Sequence, residues 1–286
     1  MAIRSPTFFV KKAVASSSLS TFYVFTRAYS STEDPITGAD KLSLPEGLKR
    51  ELMPRHVAVI MDGNSRWAKQ RGQPQVFGHE AGIKSVTDLT DLSCKWGISV
   101  LSVYAFSYEN WKRSKEETDF LMMLIDRWLR SELENYIRKG IRFSMIGDLS
   151  SLPKFLQDTI AKVEESTRAN SRLHLVAAIS YSGRRDLLKA CKNIAEKVRA
   201  KSMEPEDINE SLIDQELSTN CTLYPNPDLL IRTSGELRLS NFFLWQLAYS
   251  ELFFSDALWP DFGEEDFLKA LRSYQHRQRR YGERVQ

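Results

Sequence analysis

The feature that most constrains the fold is an alternation of short apolar runs with longer segments of helical periodicity. Six runs have the length and the branched or aromatic content of buried strands. They are residues 56–62, 100–107, 141–147, 173–180, 228–234 and 251–255. Between them, "AGIKSVTDLTDLSCKWG" and "DFLMMLIDRWLRSELENYIRKG" carry apolar residues at helical spacing. Such alternation predicts a single α/β domain, in which helices flank a central, mostly parallel sheet of about six strands.

The first 32 residues differ in composition from the rest of the chain. They contain seven serines, four threonines and the basic residues Arg4, Lys11, Lys12 and Arg27, but no Asp or Glu. A basic, hydroxyl-rich and acid-free segment is typical of an organellar transit peptide. The stretch "TRAYSST" resembles a mitochondrial cleavage site, whereas the abundance of serine suits a plastid. The composition therefore leaves both organelles open.

A linker and one catalytic domain are expected after this leader. Residues 33–47 are rich in proline, glycine and polar side chains, which favours a linker. We expect the folded domain to span residues 48–286. No apolar run reaches the roughly 18 residues that a transmembrane helix needs.

The net charge of the expected domain argues against nucleic-acid binding. The whole chain has 40 basic and 37 acidic residues, a net charge of +3. Removing the four basic residues of the leader leaves 36 basic and 37 acidic residues, a net charge of −1. A protein that binds nucleic acid through its backbone phosphates needs a basic surface, so this class is disfavoured.

Polar clusters follow three of the predicted strands. The first is Asp62–Trp67, the second is "SYENWKRS" at 107–114, and the third is "RTSGELRLSN" at 232–241. In open α/β sheets, ligands bind at the carboxyl ends of the strands. Arginine forks and hydroxyl groups suit phosphate, and Asp62 and Glu251 are carboxylates of the kind that hold Mg²⁺. Neither GxxxxGK[ST] nor GxGxxG is present, so the pattern indicates phosphate or diphosphate binding without a nucleotide signature.

Five motifs, in this order, resemble those of the cis-prenyltransferases, the family of undecaprenyl and dehydrodolichyl diphosphate synthases. They are "HVAVIMDGNSRWAKQRG", "GHEAG", "YAFSYENWKRS", "NPDLLIRTSGELRLSNFFLWQLAYSELFF" and "LWPDFG". The resemblance extends from about His56 to Gly282. It implies a Mg²⁺-dependent enzyme that condenses an allylic diphosphate with isopentenyl diphosphate and releases pyrophosphate. It also implies an apolar tunnel that encloses the growing chain.

The same resemblance implies roles for individual residues. Asp62 would hold Mg²⁺ on the allylic diphosphate, Glu251 would hold Mg²⁺ on the isopentenyl diphosphate, and Asn64 and His79 would be catalytic. The residues expected to bind substrate are Gly63, Arg66, Trp67, Ser107, Trp111, Arg113, Arg232, Arg238, Ser240 and Arg280.

The resemblance also leads to expectations about the oligomeric state, the product and the location of the protein. "Arg280-Tyr281-Gly282" matches a family tail motif that crosses a homodimer interface to the partner's substrate, so we expect a homodimer. The product is expected to be short or medium in length and able to associate with membrane, with Phe120 and Trp128 as candidates for narrowing the tunnel. The resemblance to plant members favours the plastid, with the mitochondrion as the alternative.

Three other functions remain open at this point. A branched coupling of two dimethylallyl diphosphates, as in lavandulyl diphosphate synthesis, suits the same family. A non-catalytic partner subunit of a prenyltransferase is another alternative, although such partners tend to lose the Asp and Arg kept here. A haloacid-dehalogenase-like phosphohydrolase would need a second carboxylate two residues after Asp62, where this chain has Asn64.

Overall fold

The computed structural model of the protein describes residues 44–280. The predicted transit peptide and most of the predicted linker lie outside these residues, as do residues 281–286 of the tail. The boundaries proposed for leader and linker therefore stay predictions.

Six parallel strands form one sheet in the order β3-β4-β2-β1-β5-β6. The strands are β1 (His56–Ile60), β2 (Val100–Ser107), β3 (Ile141–Ile146), β4 (Leu173–Tyr181), β5 (Leu229–Arg232) and β6 (Glu251–Phe254). Every residue of β1, β4 and β5 is buried. Continuous burial explains why these strands are nearly uninterrupted apolar runs rather than alternating ones. The predicted fold class is confirmed.

Seven α-helices cover the sheet within the described residues. They are α1 (Asn64–Gln70), α2 (Gln75–Trp96), α3 (Lys115–Lys139), α4 (Lys154–Thr167), α5 (Gly183–Arg199), α6 (Glu210–Glu216) and α7 (Glu264–His276). The two helices predicted from periodicity lie within α2 and α3. Ser114 caps the start of α3 by accepting a hydrogen bond from the Glu117 amide. Gly140 ends this helix in the left-handed conformation, with φ of 69°.

Alternate residues of each strand enter two different cores. Val57 and Val59 face a core that α2, α3, α4 and α7 share, whereas Ala58 and Ile60 face the other side. On that second side Phe242 and Phe243 stack at 3.9 Å between ring centroids. In residues 44–280, no helix combines the length and apolar character that crossing a bilayer requires.

The strand order reverses direction beside β1. The chain proceeds from β1 to β2, then to the edge strand β3 and back to β4 on the same side, and crosses to β5 and β6 on the other. Ligands of doubly wound sheets bind at the carboxyl edge where the order reverses. This topology places the residues after β1 and β5 side by side, and the candidate site is there.

Candidate active site

The turn after β1 is held from both sides by later parts of the chain. The amide of Asp62 donates to Thr233 Oγ1 at 2.9 Å, and the same hydroxyl lies 2.7 Å from the Asp62 carbonyl oxygen, which also accepts the Trp259 amide. Gly63 has φ of 112°, and a Cβ there would lie 2.9 Å from Leu258 Cδ2. Only glycine fits this backbone conformation and space without strain. The Asp62 carboxylate is thus fixed in position by its backbone.

Two guanidinium groups flank the Asp62 carboxylate. Arg232 Nη2 donates to Oδ2 at 2.9 Å, and Arg66 Nη2 lies 3.2 Å from Oδ1. The Arg232 side chain is 3% exposed, whereas those of Asp62 and Arg66 are 30% and 45% exposed. Partial burial alone would raise the pKa of Asp62, but the Arg232 hydrogen bond and the charges of both arginines hold that pKa below its usual value. Asp62 is therefore anionic at neutral pH.

The loop after β5 wraps around these arginines. Arg232 Nη1 donates to Ser240 Oγ at 2.6 Å and also to the Arg238 carbonyl. Glu236 receives Arg66 Nη1 at 3.2 Å and forms a close ion pair with Arg238. Arg232, Arg238 and Ser240, which were predicted to bind substrate, therefore lie in one hydrogen-bonded cluster with Asp62 and Arg66.

The backbone of this loop is strained. Ser234, Ser240, Asn241 and Phe243 all have positive φ, between 44° and 73°, although none is glycine. Such conformations persist where the surrounding structure fixes them, and they concentrate at functional sites. Here Arg66 Nη2 donates to Ser234 Oγ at 2.6 Å, so one strained residue directly positions a predicted substrate-binding side chain.

A second cluster surrounds His79 at the start of α2. Asn64 Nδ2 lies 3.5 Å from His79 Nδ1, and Gln75 Nε2 lies 3.4 Å from His79 Nε2. Glu117 Oε1 accepts Gln75 Nε2 at 2.9 Å and Arg113 Nη1 at 2.7 Å. Burial and then the charge of Arg113 lower the pKa of His79, so this imidazole is neutral at pH 7.

An apolar cavity of about 50 Å³ lies beneath these two clusters, between the sheet and helices α2 and α3. Asn64, His79 and Gly82 line one end of it. Its remaining walls are apolar or aromatic; they are Met61, Ile83, Val86, Val103, Ala105, Leu121, Leu124, Ile125, Trp128 and Trp259. The buried Asn64 Oδ1 has no hydrogen-bond partner within residues 44–280. A polar site thus opens onto an apolar space.

Three other predicted residues lie at the same edge but apart from the Asp62 cluster. Trp67 donates its indole N–H to Asp261 at 2.7 Å. Trp111 donates to Ser180 Oγ at 2.9 Å, on β4, and packs against Phe106. Ser107 is the last residue of β2, where its amide donates to Asn110.

The structure does not bring Glu251, the second predicted Mg²⁺ ligand, to the Asp62 cluster of the same chain. Glu251 is the first residue of β6 and is in register with Leu229, the first residue of β5. Since the strands are parallel, it lies at the amino edge, roughly 10 Å along the strand from the row that ends β1. Glu251 Oε2 accepts Arg277 Nη1 at 2.7 Å, and Arg280 follows shortly after in the same tail.

Sequence reasoning missed two carboxylates of the site. Glu236 belongs to the polar cluster at 232–241, and its membership of that cluster was a signal that it pairs with the arginines of the site. Glu117 lies four residues after Arg113, which is the spacing of an ion pair on one helix face, and this signal was also available.

The donor set at Asp62 fits Mg²⁺ held jointly with a substrate. Within residues 44–280, no three His, Cys, Asp or Glu side chains converge into a metal cage. Mg²⁺ does not need one, because it commonly binds one or two carboxylates together with substrate phosphates and waters. A half-exposed, anionic Asp62 supplies such a carboxylate.

Comparisons with known proteins agree with this geometry. The family model for undecaprenyl diphosphate synthases matches residues 60–282. "Cis-prenyltransferase 4, chloroplastic" of Solanum lycopersicum is 62% identical, over 85% of this chain and 79% of its own. "(2Z,6Z)-farnesyl diphosphate synthase, chloroplastic" of the same plant is 51% identical, over 81% of this chain and 80% of its own.

A solved structure is similar as well. Lavandulyl diphosphate synthase from Lavandula x intermedia, in complex with dimethylallyl diphosphate, superimposes with a TM-score of 0.80 at 45% identity. The alignment covers 82% of this chain and all of that one. The fold and site define a prenyltransferase. The chain belongs to the undecaprenyl diphosphate synthase family of cis-prenyltransferases, and this assignment replaces the phosphohydrolase alternative.

Proposed function

We propose that the protein is a Mg²⁺-dependent cis-prenyltransferase that condenses an allylic diphosphate with isopentenyl diphosphate into a Z-prenyl diphosphate of short or medium length. The observation that carries the proposal is that the Asp62–Arg66–Arg232 cluster adjoins an apolar cavity, since Met61 and Asn64, on either side of the Asp62–Gly63 turn, both line it. A prenyl diphosphate has this same division, since it joins a strongly anionic head to a hydrocarbon chain.

The allylic substrate would lie with its diphosphate beside Asp62 and Arg66 and its hydrocarbon in the cavity. Mg²⁺ bound at Asp62 would offset the charge that develops on the diphosphate as the allylic C–O bond breaks. Arg66, itself joined to Ser234 and Glu236, would add a fixed positive charge at the same place.

The isopentenyl diphosphate would bind through Arg232, Arg238 and Ser240. The new bond joins its C4 to C1 of the allylic substrate, pyrophosphate leaves, and a proton is lost from C2. His79 is neutral and lies beside Asn64 at the cavity, so it is able to accept that proton. Arg113, tied to Glu117 in the structure, would contact the substrates from the loop after β2.

The purified full chain, assayed alone, tests this function. Isopentenyl diphosphate is supplied with dimethylallyl, geranyl or farnesyl diphosphate, with Mg²⁺ or with excess chelator, and products are identified by mass spectrometry after dephosphorylation. We expect Z-prenyl products with Mg²⁺ and none with chelator. Complete inactivity of the chain alone, restored by an added prenyltransferase subunit, would instead identify it as a non-catalytic partner.

Branched coupling is a second candidate. It is favoured by the 45% identity to lavandulyl diphosphate synthase, whose solved structure is in complex with dimethylallyl diphosphate. Incubation with dimethylallyl diphosphate alone separates the two reactions. A branched ten-carbon product without isopentenyl diphosphate would establish this activity, and its absence would leave regular condensation.

We also propose a homodimer in which Glu251 and Arg280 serve the partner's site. Glu251 lies at the amino end of β6, an edge strand, and pairs with Arg277, three residues before Arg280 in the tail. Mixing Asp62→Ala chains with Arg280→Ala chains should therefore restore part of the activity, because one site of a mixed dimer escapes both lesions. Two inactive variants that stay inactive after subunit exchange would place the tail in its own site, and an active monomer would exclude the dimer.

The location we propose is the plastid stroma. The leader composition supports an organelle, and the relatives named above from Solanum lycopersicum are both called chloroplastic. A fluorescent protein fused to residues 1–47 should enter plastids. Mitochondrial fluorescence would overturn the assignment.

A further inference from the structure

Asn241, at the end of the loop after β5, joins this loop to helix α5. Its backbone oxygen accepts the Gly183 amide at 2.7 Å, and its side-chain Oδ1 accepts the Arg184 amide at 3.0 Å. Ser182, which precedes α5, gives this helix no side-chain cap. The first amides of a helix have no partner within it, so Asn241 caps α5 from a distant part of the chain.

The side-chain nitrogen of Asn241 faces the loop after β2. Since the Arg184 backbone N–H can only donate, it fixes the orientation of the Asn241 amide, whose Nδ2 must donate on its other side. One bond goes to Ser182 Oγ at 2.6 Å and another to Glu109 Oε1 at 2.8 Å. Glu109 belongs to the short 3₁₀ helix Tyr108–Lys112. A single side chain thus connects α5, the loop after β5 and the loop after β2.

This connection joins residues that the proposed function assigns to the substrates. Ser240 directly precedes Asn241 and accepts Arg232 Nη1 at 2.6 Å. Arg113 follows Glu109 by four residues. The Asn241–Glu109 bond therefore links the segment that would bind isopentenyl diphosphate to the segment from which Arg113 would contact the substrates.

The backbone at Asn241 is held in a conformation that needs support from its surroundings. Ser240 and Asn241 both have positive φ, 47° and 62°, and such conformations persist where neighbouring contacts fix them. The 3₁₀ helix is also anchored to α5 by Arg185, whose guanidinium lies 3.8 Å from the centroid of the Tyr108 ring. Loss of the Asn241–Glu109 bond should therefore loosen this 3₁₀ helix without releasing it.

We infer that Asn241 is a positioning residue, which through Glu109 holds the loop after β2 in the place from which Arg113 contacts the substrates. The effect on catalysis rests on the proposed function, whereas the link between the two loops is measurable without any activity. Breaking the Asn241–Glu109 bond alone should expose residues 108–113 to protease and slow condensation.

An exchange of donor and acceptor tests this bond. Asn241→Asp keeps the oxygen that caps α5 and suits both a left-handed backbone and a helix N-terminus, but it sets a carboxylate against Glu109. Glu109→Gln keeps an oxygen that accepts from Asn241. The double variant Asn241→Asp/Glu109→Gln restores the bond in the reverse direction, because the new amide donates to the new carboxylate. Asn209→Asp is the matched control, since Asn209 also caps a helix through Oδ1, accepting the Leu212 amide at 3.0 Å.

Two measurements are made on each purified full-length protein, with thermal unfolding as the check on folding. Limited digestion with trypsin and mass spectrometry report cleavage after Lys112 and Arg113. Steady-state condensation assays give kcat and the KM for isopentenyl diphosphate.

Asn241→Asp should be cleaved at these two sites about tenfold faster than wild type, the factor that corresponds to a hydrogen bond of about 1.4 kcal/mol. Its kcat should fall by a similar factor, and its KM should change less because the bonds of Arg232 to Ser240 stay intact. Glu109→Gln and Asn209→Asp should be cleaved at the wild-type rate. The double variant should return to the cleavage rate and kcat of Glu109→Gln alone.

Equal cleavage of Asn241→Asp and wild type would overturn the inference. Faster cleavage that Glu109→Gln does not reverse, or that leaves kcat unchanged, would overturn it as well. If Asn241→Asp does not fold, Glu109→Ala decides, because it removes the acceptor and leaves the cap of α5 in place; wild-type cleavage of that variant would exclude the link. A wild-type chain without condensation activity would defeat the proposed function, while the cleavage rates would still decide whether the two loops are linked.

Discussion

Replacing Asp62 should have two separable effects, because its carboxylate neutralises a buried arginine and, in the proposed function, would also be a ligand of Mg²⁺. Arg232 is 3% exposed, and Asp62 accepts its Nη2 at 2.9 Å. Removing one member of a buried ion pair typically costs about 3–5 kcal/mol. Asp62 is 30% exposed, which places the expected cost of Asp62→Ala near the lower figure, about 3 kcal/mol. The half-exposed pair with Arg66 adds at most about 1 kcal/mol.

Asp62→Asn separates the two roles. An asparagine keeps an oxygen that accepts from Arg232 but loses the charge, so we expect a smaller loss of about 1–2 kcal/mol in unfolding free energy. Neither variant offers a carboxylate to Mg²⁺, so both should lose condensation activity by several orders of magnitude. The wild-type protein should be the most stable, followed by Asp62→Asn and then Asp62→Ala. The two variants should be equally inactive.

Urea unfolding and a steady-state condensation assay at saturating Mg²⁺ measure the two quantities. Asp88→Ala is a suitable control, since Asp88 is an exposed residue that pairs with Lys84 and should change stability by less than about 1 kcal/mol. A fully active Asp62→Asn protein would refute the metal assignment. An Asp62→Ala protein as stable as wild type would show that Arg232 does not depend on this carboxylate.

Further predictions concern a glycine and two buried histidines. The Gly63→Ala protein should lose more unfolding free energy than the Gly72→Ala protein, as measured by urea unfolding. Both glycines have positive φ, but only at Gly63 would a Cβ meet a close neighbour, Leu258 at 2.9 Å. Equal losses in the two variants would contradict this. Backbone strain alone accounts for about 1–3 kcal/mol in each. His56 and His174 are buried, which lowers their pKa values to about 3 and about 4 from 6.5. Below pH 6.5 these two histidines become protonated in the unfolded chain but stay neutral in the folded one. The free energy of unfolding should therefore fall as pH decreases, by roughly 2 kcal/mol per histidine at pH 5. The substitution His56→Gln should remove about 2 kcal/mol of the loss at pH 5, and a stability independent of pH between 7 and 5 would refute the argument.

The central strands of this protein were predictable because burial on both faces makes β1, β4 and β5 nearly continuous apolar runs. Residues 100–107 and 141–147 match β2 and β3 to within one residue. The run 228–234 extends past β5, since Thr233 and Ser234 leave the sheet, where Thr233 binds the Asp62 backbone instead. That contact joins residues 171 positions apart, which no local pattern encodes.

The candidate site was predictable where polar residues follow a strand and not where they precede one. Asp62 and Arg232 meet because β1 and β5 are parallel neighbours whose carboxyl ends coincide. Glu251 comes before Leu252 and the two phenylalanines of β6, so its place at the amino end was visible in the sequence. Strand order was not visible, and without it the pairing of Glu236, after β5, with Arg66, after β1, could not be assigned.

The central position of β1 in the sheet determines when, during synthesis, the Asp62 cluster can form. β1 is synthesised first among the strands, yet one of its two neighbours is β5, and the Asp62–Arg232 bond spans 170 residues. At usual translation rates of about 5–20 residues per second, the ribosome needs roughly 10–35 s to reach Arg232 after Asp62. Leu258 and Trp259, which fix the turn at Gly63, emerge later still. During synthesis Asp62 therefore has Arg66 as a possible ion-pair partner long before Arg232, and the complete cluster forms only when nearly the whole domain is available to fold.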